Sequence, residues 1–373
     1  MENVCAGCIG DDDLKAWIYS IGGRTGCDFC RGVDFPTCKL AVLCDRIHDF
    51  LIRYWGTAVE QLPYESAEGG YQGATWDTED ILFDHVDLQL PRDETDVLRF
   101  AIVSLMEDEV WCDFDWGTLE YDQALWTSWE RFCTTVMHSR RFFFHVSGTD
   151  ERDSYTPVSL LRMIARISEQ MNILNVLPTG TELWRARPGL SPSSTVSASD
   201  FGPPPETVAL QSNRMNPPGI PMLYLASTAK AALIEARAKR ALVGHWLNLR
   251  ALKILDLRAL PSVPGFFSNS RKSHRQALLF LHWFTKDIMK PVERDQKNHI
   301  EYLPSQVVTE FFRDFEFKAG RIDGIAYGST LCPDAWNIVL FADRSDVGVG
   351  KPEWPRESEP WLHFSGAAVH VRR

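Results

Sequence analysis

The side chains best suited to chemistry gather in the second half of the chain. They are Leu183-Trp184-Arg185-Ala186-Arg187, Asn213-Arg214-Met215-Asn216-Pro217-Pro218-Gly219, Tyr224 with Glu235, and Asp323-Gly324-Ile325-Ala326-Tyr327-Gly328-Ser329. In that order they supply fixed cations, an aromatic ring, a carboxylate and a hydroxyl. Guanidinium groups grip a pyrophosphate through paired hydrogen bonds, a phenol offers its face to a flat base, and a carboxylate stabilises a cationic ribose. Such a set points to NAD chemistry.

Each residue has a blander reading. Arg185 stands at the end of an expected strand, and Arg187, two residues on, faces the same way; one of the two could equally be a surface ion-pair partner. Arg214 lies in a loop stiffened by prolines, with a glycine read as allowing close backbone approach and Asn213 read as tolerant of a left-handed turn. It is either a phosphate or ribose contact or a solvated cation. Tyr224 is a ring platform or simple core. Glu235, on a helix expected from Ser227 to Leu242, has Ala231, Ala232 and Ala238 around it. A carboxylate on a small-residue face needs a partner or a task, unless it is exposed beside Lys239. Ser329 would hold an amide or orient the glutamate, with Ser305 as the rival hydroxyl or merely a helix cap.

A second constellation opens the chain. Cys5-Ala6-Gly7-Cys8 and Cys27-Asp28-Phe29-Cys30 are two Cys-x-x-Cys knuckles separated by 18 residues. That spacing fits a four-thiolate zinc site, which either clips a small module as a structural metal or, as such sites sometimes do, binds nucleic acid; the structural clip is the reading taken. Cys38 and Cys44 read as buried thiols.

These groups must be held by a chain of 373 residues, enough for two or three domains. Thirteen tryptophans and 21 phenylalanines provide large cores without disulfides. Apolar stripes at Leu40, Leu43, Ile47, Leu51 and Tyr54, at Leu125, Trp129, Phe132 and Val136, and at Leu160, Ile164, Ile167 and Met171 predict packed helices. After the turn Leu177-Pro178-Thr179-Gly180 the pattern changes to short strands at Leu183-Trp184, 222–225, 252–257, 324–327 and 338–341, with helices at Ser227–Leu242 and Ser305–Phe315. Residues 189–221 form a long loop of the kind that borders sites. The expected fold class is α+β: a zinc-binding module over 1–45, a helical domain over 46–173 and a mixed α/β domain over 178–370.

Of the net charge of −11, a balance of −14 falls between Asp77 and Glu130, where 16 acids face only Arg92 and Arg99. So acidic a stretch repels phosphate backbones and disfavours nucleic acid as a partner. Arg140 and His145 have a spacing seen in helical ribonucleases, yet Arg141-Phe142-Phe143-Phe144-His145 reads equally as a capped apolar run. No segment has membrane-spanning length, and the start lacks a signal peptide, so a cytoplasmic protein without membrane partners is expected.

Residues 178–370 resemble the RES family, through the early Trp184-Arg185, the Arg214-Met215-Asn216-Pro217 loop with Gly219, the Leu223-Tyr224-Leu225-Ala226 strand leading to a helix with Glu235, and Asp323-Gly324-Ile325 near Ser329. The N-terminal half is similar to the HEPN-type modules that sometimes precede such domains. The resemblance departs at Asn213, where the family favours glycine, at Gly328, where it favours proline, and at Leu331, where it favours arginine. It implies an ADP-ribosyltransferase-like fold and an NAD-consuming, toxin-like enzyme that hydrolyses or phosphorolyses NAD. The alternatives are transfer of ADP-ribose to protein and, from the other half, HEPN-type RNA cleavage. It also implies an antitoxin or regulatory protein as partner and leaves room for a homo-oligomer. On this resemblance Arg185, Arg187, Arg214 and Tyr224 bind the dinucleotide, and Glu235, Arg185, Tyr224 and Ser329 act on it. The metal, zinc, stays with Cys5, Cys8, Cys27 and Cys30.

Overall fold

The computed structural model describes residues 2–106, 109–114, 117–144, 148–191, 195–292, 298–348 and 360–371. The chain divides into two compact units, 1–121 with 262–277 and 122–261 with 278–373. No described helix is long and apolar enough to cross a membrane.

The first unit is helical with three small two-stranded ladders. Strand β1 (Asn3–Cys5) enters the cysteine turn and helix α1 (Asp12–Ile21) follows. The Asp11 carboxylate caps α1 by accepting the Leu14 N–H at 2.9 Å, satisfying one of the donors a helix start leaves open. Strand β2 (Thr37–Lys39) pairs antiparallel with β1, placing Cys38 opposite Val4, and runs straight into α2 (Leu40–Leu51). The α2 stripe buries Leu40, Leu43, Cys44, Ile47, Phe50 and Leu51 against Leu98 and Ile102 of α3 (Val97–Leu105). Burial pushes the Cys38 and Cys44 thiols up to about 11 and about 12, as expected of inert core cysteines.

The second unit opens with two helices, α4 (Tyr121–Thr134) and α5 (Pro157–Gln170), whose apolar stripes Leu125, Trp129, Phe132 and Leu160, Ile164, Ile167 are buried as their spacing requires. Eight strands then build one mixed sheet: β3 (Leu174–Leu177), β4 (Glu182–Arg187), β5 (Leu223–Ala226), β6 (Arg240–Asn248), β7 (Leu252–Asp256), β8 (Gly324–Gly328), β9 (Trp336–Leu340) and β10 (Leu362–Val371). Helix α6 (Ala229–Glu235) links β5 to β6, and α7 (Lys272–Met289) and α8 (Leu303–Asp314) lie between β7 and β8. The strand order is β10-β6-β4-β5-β9-β8-β7-β3, antiparallel except for the β7–β8 pair.

Because side chains alternate along strands, the sheet has two distinct faces. Leu183, Leu223, Leu225, Trp246, Ile338 and Leu340 pack on one, with Phe201. Trp184, Ala226 and Val243 lie on the other, under Ala231 and Ala232 of α6. Six residue pairs join β4 to β6, whereas a single pair, Trp184 with Ala226, joins β4 to β5. The sheet therefore parts at its centre, just beside Arg185 and Tyr224.

Three expectations need correction. The helix expected to Leu242 stops at Glu235, and residues 240–248 are a strand. Arg237 adopts a left-handed conformation (φ 51°), its N–H donates to Ile234 O at 2.9 Å, and the Ala238 N–H donates to Leu233 O at 3.2 Å. These two bonds are the usual helix-ending pattern built without its usual glycine, so the stop carries no glycine to read. In the loop before Tyr224, Asn213 is not left-handed; its N–H closes a turn onto Asn216 O at 3.0 Å. Gly219 has open space around it and a φ of 86°, so it serves the turn and not a close approach.

A close approach does occur at Gly244 in β6, where a Cβ would stand 2.5 Å from the Phe201 ring. Gly244→Ala should therefore push Phe201 off the sheet and cost on the order of 1–3 kcal/mol. A fall in thermal midpoint with unchanged secondary structure by circular dichroism would register it; an unchanged midpoint would contradict the packing.

Candidate functional site

Glu235 is the last residue of α6, an awkward place for an anion because the carbonyl end of a helix is negative, a penalty of about 0.3–1 kcal/mol. Two donors offset it. Ser329 Oγ donates to Oε1 at 2.6 Å and Asn337 Nδ2 donates to the same oxygen at 2.8 Å. Hydrogen bonds to a charged acceptor contribute roughly 1.5–3 kcal/mol each, so the pair outweighs the helix end. Ser329 is itself aimed: its Oγ accepts the Cys332 N–H at 3.0 Å and the Leu331 N–H at 3.3 Å, leaving its proton for the glutamate. Among the described residues, Oε2 of this half-buried carboxylate has no partner.

The sheet sets what lies beneath. Register places His245, Trp184, Ala226, Asn337 and Tyr327 in one cross-strand row on the α6 face. Trp184 and His245 stack at 5.1 Å. Tyr224, two residues before Ala226, shares that face; its hydroxyl donates to Asn216 Oδ1 at 2.6 Å and accepts the Met215 N–H at 3.2 Å. Burial raises the Tyr224 phenol, Tyr327 adds to the rise, and the Met215 N–H, Arg185 and Arg214 oppose it. Burial likewise raises Tyr327, against Arg214 and with Glu235 and Tyr302. Tyr327 is thus within electrostatic reach of both the candidate carboxylate and the Arg214 guanidinium.

Arg185 and Arg187 leave β4 on the face opposite Trp184. Arg185 Nη1 donates to Gly202 O at 2.7 Å and Phe201 O at 3.3 Å; Arg187 Nε donates to Asp200 O at 2.9 Å. Burial first, and then the neighbouring Arg187 charge, lowers Arg185 from its usual range to about 9. Arg185 donates only to neutral carbonyls, whereas Arg187 also feels the Asp200 carboxylate, so of these two half-buried guanidiniums Arg185 would gain the more from an anion. Arg214 donates through Nη1 to Ile288 O and Lys290 O, both at 2.8 Å, and lies 5.7 Å from the Tyr302 ring centre. Ser305, the rival hydroxyl, donates to Arg214 O and so anchors the loop, while Gln306 holds Asn213 O at 2.7 Å. The structure brings Glu235, Ser329 and Tyr224 to one face, with Arg214 in reach of Tyr327, and sets Arg185 and Arg187 on the other side of the central parting.

Asn337 and Tyr327 are the residues that sequence reasoning missed. Asn337 is an amide in an apolar strand, 7 % exposed, and that oddity is the signal which could have found it. Of the ribonuclease pair, Arg140 is exposed just past α4 and His145 lies outside the described residues.

In the first unit the four cysteine sulfurs lie within 4.8 Å of one another, with Cys5–Cys8 and Cys5–Cys30 at 3.6 Å and Cys8–Cys27 at 3.8 Å. A zinc ion about 2.3 Å from each sulfur of a tetrahedron separates them by about 3.8 Å, so the donor set fits that metal. Cys30 is lowered to about 6: burial opposes this, but the Gly32 N–H, the neighbouring thiols and Arg92 outweigh it.

Residues 182–363 match the family model of the RES domain, and residues 21–150 match that of HEPN/RES N-terminal domain 1. No curated protein and no solved structure matches the chain.

Elemental analysis should find one zinc per chain, and Cys8→Ser should lose the metal and the cooperative melting of the first unit; full cooperativity without metal would refute the clip. Asn337→Ala removes one of two donors to Glu235 and should lower any turnover that depends on that carboxylate about 10–100-fold with the fold intact; unchanged turnover would contradict the contact. Asn337→Asp, which sets a second anion against the carboxylate, should lower it further.

Proposed function

The chain carries a RES domain behind a HEPN/RES N-terminal domain, which makes an NAD-related, toxin-like role its coarse assignment, and we propose that it cleaves the bond between nicotinamide and ribose in NAD. The observation that carries this reading is the Glu235 carboxylate, fixed through Oε1 by Ser329 and Asn337 with Oε2 left open. Such a group is preorganised: it need not reorganise when positive charge develops beside it.

In this reading the C1′–N bond breaks with both electrons passing to the pyridine nitrogen, so nicotinamide leaves neutral. The ribosyl group becomes oxocarbenium-like, as in glycoside cleavage, and Glu235 Oε2 stabilises it or holds the ribose hydroxyls. Water or phosphate then adds at C1′; water gives up its proton to the carboxylate. Tyr224, with its hydroxyl pinned by Asn216, presents a fixed ring for the nicotinamide. Arg185, with Arg187, answers the pyrophosphate's charge, exchanging carbonyl for phosphate oxygens. The four cysteines stand apart from this chemistry, and zinc there would supply structure.

Incubated with NAD, the purified protein should release nicotinamide, and Glu235→Gln should reduce the rate by at least about 100-fold while its melting temperature changes little. Undiminished release by Glu235→Gln would overturn the assignment. Label from adenine-labelled NAD found on protein rather than in free ADP-ribose would shift the acceptor from water or phosphate to a side chain.

A further inference from the structure

Next to the candidate site lies a cavity of about 890 Å³, lined by Trp129, Cys133, Arg214, Trp283, Ile288 and Tyr302 among others. All its lining residues belong to the second unit. Those from Trp129 to His138 fall in the stretch matching the HEPN/RES N-terminal domain, and those from Arg214 onward in the stretch matching the RES domain. The volume falls in the range of sites for drug-sized ligands, roughly 300–1,000 Å³.

Its chemistry is selective. Indole and phenol rings supply flat apolar wall, with Trp283 half-buried and stacked at 3.9 Å on Trp126. The Arg214 guanidinium forms part of the wall. Its two hydrogen bonds both leave from Nη1 to carbonyls, and among the described residues no carboxylate pairs with it. Lys290 stands at the rim beside it, ion-paired with Asp287 at 3.0 Å, and Glu130 and Glu301 also line the cavity, so the guanidinium is the group left to meet a phosphate. A flat ring plus an unanswered cation suits a base carrying a phosphate. The cavity also communicates with the site: the Arg214 loop carries Met215 and Asn216, which hold the Tyr224 hydroxyl, and Ser305 on the cavity wall holds the Arg214 carbonyl.

We infer that this cavity binds an adenylate group, its base against Trp283 and Tyr302 and its phosphate on Arg214. Resting on the NAD-cleaving reading, the adenylate is the far half of the substrate; taken alone, the same chemistry would accept free AMP as an effector. Either source sets the ligand beside Trp129 and Cys133 of helix α4, which form part of the cavity wall.

The test is binding of AMP to the full chain, followed by calorimetry and tryptophan quenching, with Trp283→Ala and Lys290→Glu alongside. Wild type should bind AMP, and each variant should weaken it at least tenfold; Lys290→Glu, at an exposed position, keeps the test open should Trp283→Ala fold poorly. In turnover, wild type should show a lower KM for NAD than for nicotinamide mononucleotide, and that preference should collapse in both variants. AMP competing with NAD assigns the cavity to the substrate, and AMP binding without competition assigns it to an effector. Absent AMP binding, or wild-type binding and KM preference in both variants, overturns the inference even if NAD is cleaved. Binding lost in the variants of a protein that never releases nicotinamide would uphold the cavity while sinking the cleavage reading.

Discussion

The arrangement of the second unit turns on where one short helix ends. Had α6 run on through Arg237 as its alanines invite, Glu235 would be a mid-helix residue and β6 would lose its first strand positions. Instead Arg237 accepts a left-handed backbone, at a strain of about 1 kcal/mol or more for a residue with a side chain. The chain reverses at once, β6 pairs with β4, and the carboxylate comes to rest over β9, where Asn337 and Ser329 meet it. Local strain is outweighed by six strand pairs and two charge-assisted hydrogen bonds.

The second constraint is the central parting of the sheet. A continuous ladder between β4 and β5 would seal Tyr224 behind backbone, and a sheet without any join there would lose register across its middle. One pair, Trp184 with Ala226, does the minimum. It carries the cross-strand row from His245 to Tyr327 while leaving the strands free to diverge beyond it. Arg185 on one side and the Tyr224 phenol on the other thereby come within electrostatic reach although they leave the sheet on opposite faces.

Much of this was legible. The cysteine knuckles, the helical stripes of α2, α4 and α5, and the strands holding Tyr224, Gly324 and Ile338 follow from spacing and periodicity, because each depends on local pattern alone. The orientation of Glu235 by Ser329 was one of the two tasks read for that hydroxyl. What escaped was nonlocal or unmarked. Arg237 ends a helix without glycine, β6 hides behind an alanine-rich run, and Asn337 acquires meaning only when β9 lies under α6. The direction of Arg185 and Arg187 likewise depends on strand register, which a two-residue periodicity cannot assign to a face of a sheet not yet built.

Trp129 and Trp283 reach one cavity from segments that match two different families. The two segments are consequently not freely interchangeable parts. A chain reduced to residues 182–363 would open Trp283 and Tyr302 to water along the wall that α4 now closes. Any graft of a different N-terminal segment would have to bring its own indole to the same place to keep that wall closed.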